Sequence, residues 1–266
     1  KYPRAGRPNA VLDLGMIDAS GGEPRWITWD NAKYPYLARV GWKPGSPATI
    51  VVLSREQMDL AVIALDGMKT LLTEHDDAWL NVPRPGSYNY AAGAPLWVGD
   101  KFLWTTERTG EWTLELRDAA GGVKQLPIPG LRTLLGVDGN AAIVEASTDV
   151  LHQDVWRVPL DGSAPTKLSS EPGVSTADVE HGVIILSTAR EAGGRTTIAI
   201  RGDARHALPS VAEQPTLVPT TVFETVELAG RTHFTAITRP RSFDPHEKYP
   251  VLLKVDADPH LQMVEA

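Results

Sequence analysis

The chain contains no cysteine. That excludes disulfides, thiolate nucleophiles and zinc sites built on cysteine, but it leaves the compartment open, because cysteine-free proteins occur in all of them. No apolar run approaches the ~18 residues that span a bilayer, so no membrane partner is expected. The opening Lys1-Tyr2-Pro3-Arg4-Ala5-Gly6 has no apolar signal-peptide core. Clustered basic residues are missing as well: 26 Lys and Arg against 33 Asp and Glu give a net charge of −7. Sequence-independent nucleic-acid binding depends on such clusters, so no nucleic-acid partner is expected. The longest acidic stretch, Glu74-His75-Asp76-Asp77, is too short for a tail and reads as a solvated loop.

The common catalytic signatures are also absent. No Gly-x-Ser-x-Gly elbow presents a serine on a strand-to-helix turn. No phosphate-cradling Gly-x-x-x-x-Gly-Lys loop or dinucleotide Gly-x-Gly-x-x-Gly fingerprint occurs. The seven histidines (75, 152, 181, 206, 233, 246 and 260) show no ligand spacing. Neither a metal nor another cofactor is expected. Asp76 and Asp77 are a carboxylate pair, but adjacent residues point apart in a strand and are solvated in a loop. Eight tryptophans could line a sugar-binding surface, yet most fall inside β-rich runs, where packing in and between strands is the better reading.

What the chain has in quantity is turns, with 23 glycines and 21 prolines placed between short β-branched segments. The turns repeat. Asp66-Gly67, Asp118-Ala119-Ala120-Gly121-Gly122, Asp161-Gly162 and Arg201-Gly202-Asp203 each separate two strand-like runs. They recur every 40 to 52 residues, close to the ~40–50-residue period of propeller blades. Upstream of each turn lies an apolar run: Thr49–Ser54, Lys101–Thr106, Ala141–Ser147 and Gly182–Thr188. A further short strand precedes each, at Leu37–Trp42, Leu96–Val98, Thr133–Val137 and Ser175–Val179.

The reading is therefore all-β, with about four four-stranded β-propeller blades over residues 36–76, 95–127, 131–169 and 174–209. Val11–Ile17 and Arg25–Trp29 form a partial blade before them, so the chain is expected to be the C-terminal part of a larger ring. The second strand of each blade is apolar throughout because it lies between neighbouring blades, and the fourth is polar because it lies at the rim. An incomplete ring would leave unpaired faces exposing residues such as Ile50, Val51, Val52, Ile184 and Ile185, so either self-association or a closed, distorted small ring is expected. The one candidate helix is Pro209–Gln214. Phe223–Leu228 and Thr232–Thr238 form a hairpin across Ala229-Gly230, Pro240–Pro250 reads as a linker, and Val251–Val255 as a new apolar strand. The domain division is 1–238 for the partial propeller and 239–266 for the linker plus the opening strand of a second domain.

Several stretches, in order, carry a resemblance. They begin with Tyr2-Pro3-Arg4-Ala5-Gly6-Arg7-Pro8-Asn9, Tyr36-Leu37-Ala38-Arg39-Val40-Gly41-Trp42 and Leu53-Ser54-Arg55-Glu56-Gln57. Leu72-Thr73-Glu74-His75-Asp76-Asp77-Ala78-Trp79 and the run from Phe102 to Gly110 follow, and then those from Asp154 to Gly162 and from Phe243 to Leu253. Together they resemble dipeptidyl peptidase IV-type members of the prolyl oligopeptidase family over nearly the whole chain. In that family an eight-bladed propeller caps an α/β-hydrolase domain, and peptides are cut after the second residue.

The resemblance implies peptide substrates, the hydrolase domain of the same parent as a partner, and a periplasmic or secreted location. It also makes Val251–Val255 the first strand of an α/β-hydrolase domain. The family's Ser-Asp-His triad lies downstream of the matched region and its paired glutamates upstream, so no catalytic residue is expected in this chain, which should be inactive alone. One position departs from the pattern. Asp256 stands where the family has an oxyanion-hole tyrosine, and Asp258 where it has glycine. A carboxylate there would repel a developing oxyanion; alternatively Asp256 only caps the loop after the strand. The expected function is the propeller portion of a serine-type dipeptidyl peptidase, gating and orienting peptides. The alternative is a non-catalytic propeller that binds a peptide or protein partner.

Overall fold

The computed structural model describes residues 6–42, 44–82, 95–191, 193–213, 216–217 and 220–255. Every element among them is a strand, and all named strand pairs are antiparallel. A short pair, β1 (Leu14–Met16) and β2 (Arg25–Ile27), comes first. Four sheets of four strands follow in simple meander order. The first blade holds β3 (Tyr36–Gly41), β4 (Thr49–Leu53), β5 (Asp59–Ala64) and β6 (Lys69–His75). The second holds β7 (Leu96–Val98), β8 (Lys101–Thr106), β9 (Thr113–Asp118) and β10 (Val123–Leu126). The third holds β11 (Leu131–Asp138), β12 (Ala141–Ala146), β13 (Asp154–Pro159) and β14 (Thr166–Lys167). The fourth holds β15 (Gly173–Glu180), β16 (Val183–Arg190), β17 (Arg195–Arg201) and β18 (Ala204–Ala207). A separate hairpin, β19 (Thr220–Leu228) and β20 (Arg231–Arg239), completes the described strands. The four blades match the expected units to within a few residues.

The core explains the composition of the second strands. Successive residues of a strand point to opposite faces, and here each face meets a different neighbour. Ile50 and Val52 pack with Ile27 and Tyr34, whereas Val51 and Leu53 pack with Phe102 and Trp104 of the second blade. Leu103 points the other way, into a cluster with Leu131, Ala142 and Val144. Ile143 then faces Ile184 and Leu186 of the fourth blade. Four apolar clusters thus lie between successive layers, and β4 and β12 are buried at every residue. Strand β16 is the exception. It is buried only at alternate positions, because Val183, Ile185, Ser187 and Ala189 face away from the third blade and are half-buried.

Three expectations need correction. Ile50, Val51 and Val52 are fully buried rather than an open face, because the β1–β2 pair and Tyr34 cover one side of β4 and the second blade covers the other; Ile184 is buried too, and only Ile185 is half-buried. Residues 209–213 form no helix, because so short a segment, with Val211 fully exposed, packs no face that would offset the cost of nucleation; Gln214 lies outside the described residues. Val251–Val255 makes no strand pairing with any of the described residues, and its side chains are exposed among them.

The hairpin turns as expected. Ala229 and Gly230 both take positive φ (51° and 73°), the conformation of a two-residue primed turn. Residues 240–250 fold back rather than run as a free linker. The Phe243 and Tyr249 rings lie 5.3 Å apart, the Arg239 guanidinium lies 5.5 Å from the Phe243 ring, and the Tyr249 hydroxyl accepts from the Asp244 N–H at 3.0 Å.

Candidate functional site

Asp256 and Asp258 lie outside the described residues. The remaining candidates can be placed. Asp76 accepts the backbone N–H groups of Ala78 and Trp79 at 2.8 and 2.9 Å. Those bonds, Trp79 first, hold its carboxyl below the usual range; it is a turn cap. Asp77 instead faces His75 Nε2 at 3.1 Å, while His75 Nδ1 faces Asp59 at 2.9 Å. Hydrogen bonds to Asp59 and then Asp77 raise the His75 pKa. The two carboxylates serve different partners and form no acid–base pair. No group of three or more His, Asp or Glu side chains suited to a metal ion occurs among the described residues.

The tryptophans divide. Trp104 is 2% exposed and belongs to the seam between the first two blades. Trp26, Trp42 and Trp79 are 64%, 77% and 53% exposed. Packing therefore accounts for Trp104 but not for these three. Trp26 only leans on Gly15 across the β1–β2 pair, where a side chain at Gly15 would meet its ring.

The densest buried charge lies where the sequence reading saw no site, and it includes Glu74, which that reading put in a solvated loop but which sits in β6 with its side chain buried. At the seam of the first and second blades, Trp104 Nε1 donates to Glu74 Oε1 at 2.9 Å. Arg117 Nε donates to Glu115 Oε2 at 2.7 Å, and Arg108 donates to the other oxygen of Glu115. Arg108 Nε also stands 3.9 Å from Glu74 Oε1. Glu74, Glu115 and Arg117 are buried, while Arg108 is partly exposed at the edge of the cluster. Beside it, Asn81 Nδ2 donates to Glu107 Oε2 at 2.6 Å. Every carboxylate here is engaged by a donor, and no hydroxyl or thiol nucleophile adjoins a base. The cluster ties two blades together. The alternation of Glu115 and Arg117 on β9 was the available signal, since two charges on one face of a strand between apolar neighbours need partners.

A third buried carboxylate, Glu145 on β12, accepts from Thr176 Oγ1 of the fourth blade. Burial raises its pKa, with the Thr176 and Thr133 hydroxyls opposing.

The blades have counterparts among known proteins. Residues 1–187 match the model of the dipeptidyl peptidase IV N-terminal region. The chain belongs to this family. Its four-bladed stretch is part of the family's propeller region. Relatives include a probable dipeptidyl-aminopeptidase B of Aspergillus clavatus, 24% identical over the whole of this chain and 32% of the relative. A second, from Aspergillus terreus, is also 24% identical, with the same shares covered. The chain thus spans about a third of the length of these family relatives. Among solved structures, a puromycin hydrolase superposes with a TM-score of 0.59 at 15% identity, covering 88% of this chain and 38% of that one. A puromycin-hydrolyzing peptidase of Mycobacterium tuberculosis gives 0.57 at 13%, over 88% and 38%. At such identity these two report the fold alone.

Proposed function

We propose that this chain is the propeller portion of a dipeptidyl peptidase IV-like serine peptidase, and that it gates and orients peptides for a hydrolase domain of the same parent protein. The observation that carries this reading is the family match over residues 1–187, which falls on blades whose facing sheets share continuous apolar seams. The propeller occupies residues 1–238, and 239–266 leads into the hydrolase domain. The catalytic triad is supplied from outside these residues, so the 266-residue chain alone should not hydrolyse a Gly-Pro or Ala-Pro chromogenic amide. Turnover that co-purifies with the chain and is blocked by a serine-directed inhibitor would overturn this.

A second reading, a propeller that binds a partner without catalysis, is favoured by Asp256 in the tyrosine's place. In a longer protein containing the hydrolase domain, Asp256→Tyr separates the two. If Asp256 faces the oxyanion, kcat should rise by roughly two to three orders of magnitude with little change in KM. An unchanged kcat in a protein with a complete triad would remove this argument for the second reading.

A further inference from the structure

Among the described residues, the seam between the third and fourth blades carries the one isolated bridge between two blades. Gln153 N donates to Gly173 O at 3.1 Å, and Ser175 N donates back to Gln153 O at 2.8 Å. The Gln153 side chain adds a bond from Nε2 to Ser175 O at 3.0 Å. This is the isolated parallel bridge between Gln153 and Val174, a backbone-to-backbone link across two separate sheets. His152, the residue immediately before it, faces Asp149 Oδ2 of its own loop through Nδ1 at 2.9 Å. Through Nε2 it faces Glu191 Oε2, in the β16–β17 connection of the next blade, at 3.3 Å.

We propose that this seam is a pH-sensitive latch, in which the His152 imidazole clamps Asp149 of the third blade to Glu191 of the fourth beside the Gln153 bridge. A carboxylate only accepts, and a neutral imidazole has a single N–H. With two carboxylates opposite its two nitrogens, only the protonated ring satisfies both. The neutral ring turns a lone pair toward one of them and releases one arm.

Asp149 and Glu191 are the charged groups facing the ring. The other nearby charges are already engaged: Glu171 accepts from Thr196 Oγ1 at 2.6 Å and lies 4.0 Å from Arg190, and Asp154 is held by Lys167 and Ser169. Partial burial works against the charged ring, but the hydrogen bonds to Asp149 and Glu191 outweigh it and raise the His152 pKa above 6.5. Its contribution is therefore complete below the unfolded value and is lost as pH rises through the folded one. Glu145, on the same seam, acts in the same direction. Its pKa is raised above 4.5 by burial, with Thr176 and Thr133 opposing and Asp178 adding to the rise. Its contribution too is lost as pH increases through the folded value.

Hydrogen exchange of the full 266-residue chain across the histidine range, roughly pH 5 to 8, tests the latch once rates are corrected for intrinsic exchange. Protection of the Gln153 and Ser175 amides should fall by about two- to five-fold as pH rises. The apolar seam of the second and third blades should show no such trend. His152→Gln should flatten the profile, and Glu191→Gln should do so without touching the ring. A wild-type pH profile in both variants, or an equal fall at every seam, would overturn the proposal.

Discussion

At the residue scale, the Glu115 pair illustrates how expensive a lone buried charge is. Removing one partner of a buried ion pair costs about 3–5 kcal/mol, because the other charge remains without compensation. Glu115→Ala strands the buried Arg117, while the partly exposed Arg108 keeps Glu74 nearby, and it should destabilise the chain by that amount in urea unfolding. Lys167→Ala, which breaks an exposed pair with Asp154, should cost about 0–1 kcal/mol. Equal effects would show that the buried cluster carries no special weight. Gly136 offers a sterically cleaner test. A Cβ there would lie 2.9 Å from the Cβ of Val179 on the next blade's inner strand, a contact that cannot be accommodated without movement. Gly136→Ala should cost about 1–3 kcal/mol. Val179→Gly, which removes that Cβ, should recover part of the loss, giving a favourable coupling in a double-mutant cycle.

Little at this scale was legible in advance. Trp26, Trp42 and Trp79 sit near strand runs that predict packing, yet each is exposed. A strand pattern does not say which faces find a neighbour. The Glu74–Trp104–Arg108–Glu115–Arg117 cluster joins residues up to 43 positions apart in the sequence, and its partners become visible only once β6, β8 and β9 are placed side by side.

At the scale of elements, the sequence was far more informative. A hairpin is specified locally by its turn, and a blade is a chain of hairpins, so four sheets could be delimited from Asp-Gly and related turns alone. The failures have the opposite cause. Val251–Val255 has the composition of a strand, but a strand exists only through a partner, and none of the described residues supplies one. The β19–β20 hairpin provides a prediction here. Ala229 holds φ of 51°, which an L-residue with a Cβ adopts at a cost of roughly 1–2 kcal/mol. Asparagine tolerates this conformation better. Ala229→Asn should raise amide protection across residues 220–239 and leave the blades unchanged. A loss of protection would mean that the turn is not of the primed type in solution.

At the scale of the molecule, the outward face of the fourth blade is a partly covered apolar surface. Val183, Ile185 and Ala189 stand half-buried on one side of β16, while their neighbours Ile184 and Leu186 are buried on the other. Concentration-dependent association should appear by light scattering, and Ile185→Lys should shift it toward monomer, because a lysine on that face must keep its charge solvated. A monomer at all concentrations, with Ile185→Lys without effect, would show that this face tolerates water.

The seams have a consequence for how the molecule comes apart. Each apolar cluster draws on two adjacent layers and no others. A chain of nearest-neighbour couplings of this kind behaves like a row of coupled spins, in which a defect at one site is felt by its neighbours and fades beyond them. Unfolding should then proceed by fraying from a terminal blade rather than as one cooperative event. The fourth blade, coupled on one face only, would melt before the second and third, giving a broad calorimetric transition. The van't Hoff enthalpy drawn from its width should then fall below the calorimetric enthalpy.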